Sequence, residues 1–167
     1  AHELRIADNV EPRLDIVGNS QLVRKYPEDL IESTYADIRR IVEKAVDKRN
    51  GRIWSWEGDG GLIAFYFGNK IVMAALSGME IVNELFMYNL LHCRLPEPVR
   101  ARVAAHAGII EYSSDVEELM KNDPIKETIQ IESRFTKPNT LTISTTISSK
   151  LEGTIVPSSF ELMVVLI

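Results

Sequence analysis

The sequence predicts one α+β domain, with a mostly antiparallel sheet and helices on one face. Three observations carry that reading. Strand-like and helix-like runs alternate along the chain. Two β-rich runs flank an Asp-Gly turn. The 167 residues, 45% of them hydrophobic, suffice for a single substantial core.

Taken in order, Leu14-Asp15-Ile16-Val17 is a short apolar run ending at Gly18, a strand leading into a tight turn. Pro27-Glu28-Asp29 opens a helix, with acids where the helix dipole favours them. Leu30, Ile31, Tyr35, Ile38, Val42 and Ala45 mark its buried stripe, and Lys44, Lys48 and Arg49 crowd its end. Arg52-Ile53-Trp54-Ser55-Trp56 and Leu62 to Phe67 surround Gly58-Asp59-Gly60-Gly61, a hairpin whose alternation puts Trp54 and Trp56 on one face. A second long helix runs from about Lys70 to Tyr88, with Ala74, Ala75, Met79, Val82, Leu85 and Phe86 on one side. Val99 to Tyr112 reads as one or two strands, Glu127 to Phe135 as helix and Thr140 to Ser144 as strand. Thr146 to Leu151 is a short helix, and the apolar ending Phe160 to Ile167 a last strand. The order is βαββαβ, a ferredoxin-like sheet with an appended αβ tail and one face left for a partner.

Charge and composition narrow the function classes. A net charge of −5 argues against nucleic-acid binding, which needs a basic footprint. It also disfavours an RNA-recognition sheet, whose aromatic contact motif is missing. Cys93 is the single cysteine, so no internal disulfide forms and a reducing, cytoplasmic setting is expected. No signal-peptide pattern opens the chain and no apolar run approaches the roughly 20 residues of a membrane span, so no membrane contact is expected. The whole of 1–167 reads as one domain, and its start at Ala1-His2 suggests a piece of a longer protein.

The candidate chemistry lies at one end of the sheet. Asp15 ends a strand and Asp59 sits in the hairpin turn, and in a βαββαβ sheet these are neighbours. Paired carboxylates among oxygen donors suit Mg²⁺ or Mn²⁺, especially beside substrate phosphates. Gly18-Asn19-Ser20 offers backbone N–H groups where the chain turns towards a helix, a phosphate cradle. Taken singly, an Asp-Gly turn needs no role beyond turn chemistry, and Gly18-Asn19-Ser20 reads as an ordinary loop. His106 reads as a structural strand histidine, and His92-Cys93 has no partner at metal-ligand spacing. Asp115, Glu117 and Glu118 read as a solvated helix face, and Met73, Met79 and Met87 as core filler. No Gly-x-Ser-x-Gly or Walker-type loop is present.

Several motifs fall in a family's order. Asp15-Ile16-Val17-Gly18-Asn19-Ser20 resembles the Asp-Ile-x-Gly-x-Ser/Thr opening motif of class III adenylate and guanylate cyclases. Gly58-Asp59-Gly60 is similar to that family's second metal motif, and Arg102 to Gly108 to its Arg-Ile-Gly-Ile-His-Thr-Gly strand. Asp123 through Arg134 has the spacing of the family segment from a base-reading Asp, through an Asn, to an Arg; Asn139 to Leu151 resembles the strand and helix that follow. The resemblance covers about 14–151. It implies two Mg²⁺ or Mn²⁺ ions held by Asp15, Asp59 and the Ile16 carbonyl. A nucleoside triphosphate would then close to a 3′,5′-cyclic nucleotide and release pyrophosphate. Gly18, Asn19 and Ser20 would hold phosphate, Asp123 would read the base and Gln130 would position the ribose. Arg134, supplied by the second subunit of a homodimer, would stabilise the transition state. Such a domain serves intracellular signalling.

The departures are specific. Ser55 stands where the family's adenylyl cyclases carry a base-reading Lys and supplies no ammonium donor. Gln130 has one methylene more than the family Asn, Lys126 replaces a glycine, and Glu57 is acidic at a usually apolar position. The ending, Pro157 to Ile167, lacks the family's phosphate-binding Lys. Two functions are expected from this mixture: a metal-dependent cyclase with non-standard base recognition, or a catalytically degenerate cyclase-like module for dimerisation or nucleotide-regulated signalling.

Overall fold

The structure is a computed structural model that describes residues 6–151 and 164–166. Its order is β1 (Ile6–Ile16), α1 (Asn19–Lys25), α2 (Glu28–Asp47), β2 (Arg52–Glu57), β3 (Gly60–Ala64), α3 (Lys70–Leu91) and β4 (Ala101–Glu111), then α4 (Val116–Leu119), α5 (Asp123–Phe135), β5 (Thr140–Ile143), α6 (Thr145–Leu151) and β6 (Val164–Leu166). The sheet order is β2-β3-β1-β4-β5-β6. The pairings β2–β3, β3–β1 and β1–β4 are antiparallel, whereas β4–β5 and β5–β6 are parallel. The expected α+β class holds, and of the expected C-terminal strand, 160–163 and 167 lie outside the described residues.

The core lies between one face of the sheet and α2, α3 and α6. Val10, Leu14 and Ile16 of β1 and Val103, Ala105 and Ala107 of β4 meet Ile38 and Val42 of α2, Ala74 and Ile81 of α3, and Ile147 of α6. In each strand these residues alternate with a second set facing the other way. That second set is covered by α5, which packs with α4 in a smaller apolar cluster of Leu62, Ile110, Leu119 and Ile125. The sequence expectation had left this face free for a partner; α5 occupies part of it instead.

β1 is much longer than the four residues expected of it. Its N-terminal half carries Asn9, Glu11 and Pro12, which look loop-like in sequence, yet Asn9 and Glu11 are buried. Their side of β1 pairs with β4 over eleven residues in register, from Ile6↔Glu111 to Ile16↔Ala101.

The hairpin differs from its expectation at one place. Between Ile53 and Ser55 the β2–β3 register shifts, so an extra residue breaks the alternation. Trp54 and Trp56 therefore end on opposite faces: Trp54 packs against the α4–α5 cluster and Trp56 against the main core. Trp54 stacks at 6.4 Å on Tyr66 and meets Tyr112 at 5.2 Å. The Arg39 guanidinium lies 5.9 Å from the Trp56 ring, a cation–π contact.

Among the described residues α3 is the one helix long and apolar enough to cross a membrane, with 22 residues and a mean hydropathy of 1.3. Ala74, Ala75, Ile81 and Leu85 bury one side of it against the sheet and α2, while Phe86, Leu90 and Leu91 are exposed near its end.

Candidate functional site

Where β1 ends, the hairpin turn is pressed against it. Asp15 pairs with Gly60 across the β1–β3 ladder, and the Ile16 N–H donates to the Asp59 carbonyl at 3.1 Å. A Cβ on Gly60 would sit 2.2 Å from the Leu14 carbonyl oxygen, so this approach requires glycine. Gly18 follows with φ +76, and α1 begins at the next residue, so Asn19 and Ser20 stand beside the strand end.

These groups gather round Tyr35 of α2. Its hydroxyl donates to Asn19 Oδ1, and its pKa is pushed up to about 12, first by burial, then by the charges of Asp59 and Asp15. The two carboxylates come from different elements, a strand end and the hairpin turn paired with it. The donor set is all oxygen, which suits a hard divalent cation. Among the described residues no group of three or more His, Cys, Asp or Glu side chains is gathered for a metal, so a cation here would rely on two carboxylates, backbone carbonyl and substrate oxygens.

Asp15 has a second neighbour. Arg102 of β4 donates from Nη2 to Asp15 Oδ2 at 2.7 Å, and its Nε lies 2.6 Å from Glu132 Oε1 of α5. Arg13 Nε reaches Glu132 Oε2 at 3.5 Å. Glu132 is 3% exposed. Burial pushes its carboxyl above the usual range, the Asp15 charge adds to that, and the two guanidinium groups pull the other way.

The remaining expected residues lie elsewhere on the molecule. Asp123, Gln130 and Arg134 are exposed, at spacings that align them along the outer side of α5, opposite the buried Ile125, Thr128 and Glu132. Asp123, 86% exposed, pairs with Lys126 at 2.9 Å. Ser55 is half-buried on β2, facing Leu62 across the hairpin. Lys25 and Arg100 line a shallow depression beside Gly18, but the Lys25 ammonium is paired with Glu97 at 2.6 Å. His106, in its expected structural place, lies 2.9 Å from Glu127 through Nε2. Burial pushes its imidazole below the usual value, and Glu127 opposes this more weakly.

Sequence reasoning placed Tyr35 in a core stripe and gave no role to Glu132. A glutamate within an amphipathic helix carries no signal of burial; only the fold brings Arg13 and Arg102 over it.

No protein-family model and no curated protein matches the sequence. Solved structures do match the fold. The adenylyl cyclase CyaB from P. aeruginosa superposes with a TM-score of 0.79 at 15% identity, covering 92% of this chain and 85% of that one. The guanylate cyclase domain of RhGC from Catenaria anguillulae, solved in complex with GTP, gives a TM-score of 0.77 at 13% identity, with 91% and 86% covered. A non-canonical dimeric guanylyl cyclase domain of the RhoGC fusion protein from Blastocladiella emersonii gives 0.74 at 11%, with 89% and 85% covered. The chain has the fold of adenylyl and guanylyl cyclase catalytic domains.

Proposed function

We propose that this domain, which has the cyclase catalytic fold, is a divergent class III nucleotidyl cyclase that converts a nucleoside triphosphate into a 3′,5′-cyclic nucleotide and pyrophosphate. The observation carrying this reading is the pairing of the β1 end with the hairpin turn, Asp15 opposite Gly60 and the Ile16 N–H on the Asp59 carbonyl, at the strand end and turn where the sequence resembles the family's metal motifs.

Asp15, Asp59 and the Ile16 carbonyl would hold two Mg²⁺ or Mn²⁺ ions. When bound, these ions neutralise phosphate charge and acidify the ribose 3′-hydroxyl. The chain's own residues hold and orient the rest. Gly18, Asn19 and Ser20 line the phosphate side. Asn19 is itself fixed by the Tyr35 hydroxyl, which limits how far that cradle shifts when a nucleotide arrives. In the reaction the 3′-oxygen forms its bond to the α-phosphorus as the bond to the β-phosphate oxygen breaks. The hydroxyl proton passes to solvent and pyrophosphate leaves. Arg134 from the second chain of a homodimer stabilises the charge that builds on the phosphate oxygens, and Gln130 from that chain orients the ribose. The outward position of both on α5 suits action on a partner's site. Asp123 and Ser55 face the base; with serine at that place, base choice differs from lysine-dependent adenine reading.

A second reading, a degenerate nucleotide-responsive module, is favoured by one contact: Arg102 already takes one oxygen of Asp15. An activity screen separates the two. The purified domain is given Mn²⁺ with ATP, GTP, CTP or UTP, and cyclic product and pyrophosphate are measured, with Asp59→Ala as the blank. The enzyme reading predicts product from at least one nucleotide and none from the variant. A folded dimer with no product from any of them supports the module instead.

A further inference from the structure

The chain Asp15–Arg102–Glu132–Arg13 joins the candidate metal site to α5 by two carboxylates and two guanidinium groups. Its members sit on the sheet face that α5 covers, and three come from strands while Glu132 alone comes from the helix. A guanidinium has two edges able to grip a carboxylate in a fork. Here one edge of Arg102 is divided: its Nε is turned to Glu132, and Nη2 is left for Asp15.

Without Glu132, nothing in this set would hold Arg102 back from Asp15. The whole Nε–Nη2 edge could then turn to that one carboxylate and take both its oxygens, as bidentate Arg–carboxylate pairs do. A positive charge shared by no other anion would then stand beside a site meant for cations. In a half-buried setting such charges are poorly screened.

Resting on the cyclase reading above, we infer that Glu132 is a positioning residue for the metal site. By its ion pair with the Nε of Arg102, and by balancing Arg13, it restricts Arg102 to a single bond with Asp15. Asp15 thereby keeps its other carboxylate oxygen for a divalent cation. Glu132 touches neither nucleotide nor cation in this account; it acts through Arg102. The same ion pairs tie α5 to the sheet while Gln130 and Arg134 stand exposed on its outer side.

The test titrates the full chain with Mn²⁺ alone, following free Mn²⁺ by its electron spin resonance signal. Wild type is compared with Glu132→Gln, Glu132→Asp and Glu127→Gln, after circular dichroism has shown each to be folded. Glu132→Gln should weaken Mn²⁺ binding about tenfold. Glu132→Asp, which keeps the charge but not the packing, should stay within about threefold of wild type. Glu127→Gln changes the net charge equally but touches His106 instead, and should leave the affinity within about twofold. Equal binding by Glu132→Gln and wild type overturns the inference, as does equal weakening by Glu127→Gln, which would mark a diffuse charge effect. A purely structural role would make Glu132→Asp as weak as Glu132→Gln. Should Glu132→Gln fail to fold, the more exposed Arg13→Gln serves. It frees Glu132 to hold Arg102 more firmly and should tighten Mn²⁺ binding; weaker binding overturns the inference. Wild-type Mn²⁺ binding that Asp59→Ala leaves untouched would remove the cyclase reading, and this inference with it, so the two failures are told apart.

Discussion

Tyr35 is where the account is most exposed at the scale of single residues. Its hydroxyl is held at about 12 by burial and by the charges of Asp59 and Asp15. Replacing Asp59 with Asn removes the charge with the larger effect of the two and should move the phenol part of the way back towards 10.0. Ultraviolet difference titration of the folded protein reads this directly. An unmoved midpoint would mean that the Asp59 carboxylate does not face that hydroxyl.

His106 gives a second residue-scale prediction. Its folded pKa lies below 6.5 because burial disfavours the charged ring. The unfolded chain therefore binds more protons as pH falls from 6.5 towards the folded value. The stability this residue contributes is present above 6.5 and lost as pH falls through the folded pKa. Thermal midpoints should drop on acidification from about pH 7.5 to about pH 5.5, and His106→Gln should reduce that drop. An identical drop in the variant would assign the effect to other groups.

Asp15 and Asp59 were legible in the sequence because a strand end and an Asp-Gly turn are local features. Glu132 was not, since its burial depends on arginines from two distant strands. The same limit hid the N-terminal half of β1. Asn9 and Glu11 look like loop residues until α5 is known to cover their side of the sheet.

At the scale of elements, α5 decides what the sheet presents. It approaches β4 closely enough that a Cβ on Gly108 would fall 2.4 Å from Pro124 Cγ. Gly108→Ala should therefore push the start of α5 outward and cost about 1–3 kcal/mol, measured as a shift in the urea midpoint. Unchanged stability would mean that the helix start yields freely. The hairpin teaches the complementary lesson. Its existence follows from the Asp-Gly turn and its flanks, but a bulge at Trp54 reverses the facing of everything before it, and alternation alone does not announce a bulge. The order of helices and strands was readable because apolar spacing is set within each element. Which sheet face a helix covers is set between elements, and that is where α5 departed from expectation.

At the scale of the whole molecule, the proposal divides one active site between two chains. Asp15 and Asp59 lie at the β1 end and hairpin turn, while Gln130 and Arg134 stand on the outer side of α5. Activity should then fall on dilution faster than enzyme concentration does, as dimers separate, and should be independent of dilution if a single chain suffices.

The most direct measurement mixes two inactive variants, Asp59→Ala and Arg134→Ala, under the Mn²⁺ conditions and nucleotide that serve the wild type. In a two-fold homodimer, random pairing gives heterodimers with one intact site, and the mixture should regain about a quarter of wild-type activity. A mixture as inactive as either parent, despite demonstrated subunit exchange, would contradict a shared metal-dependent site built from these residues.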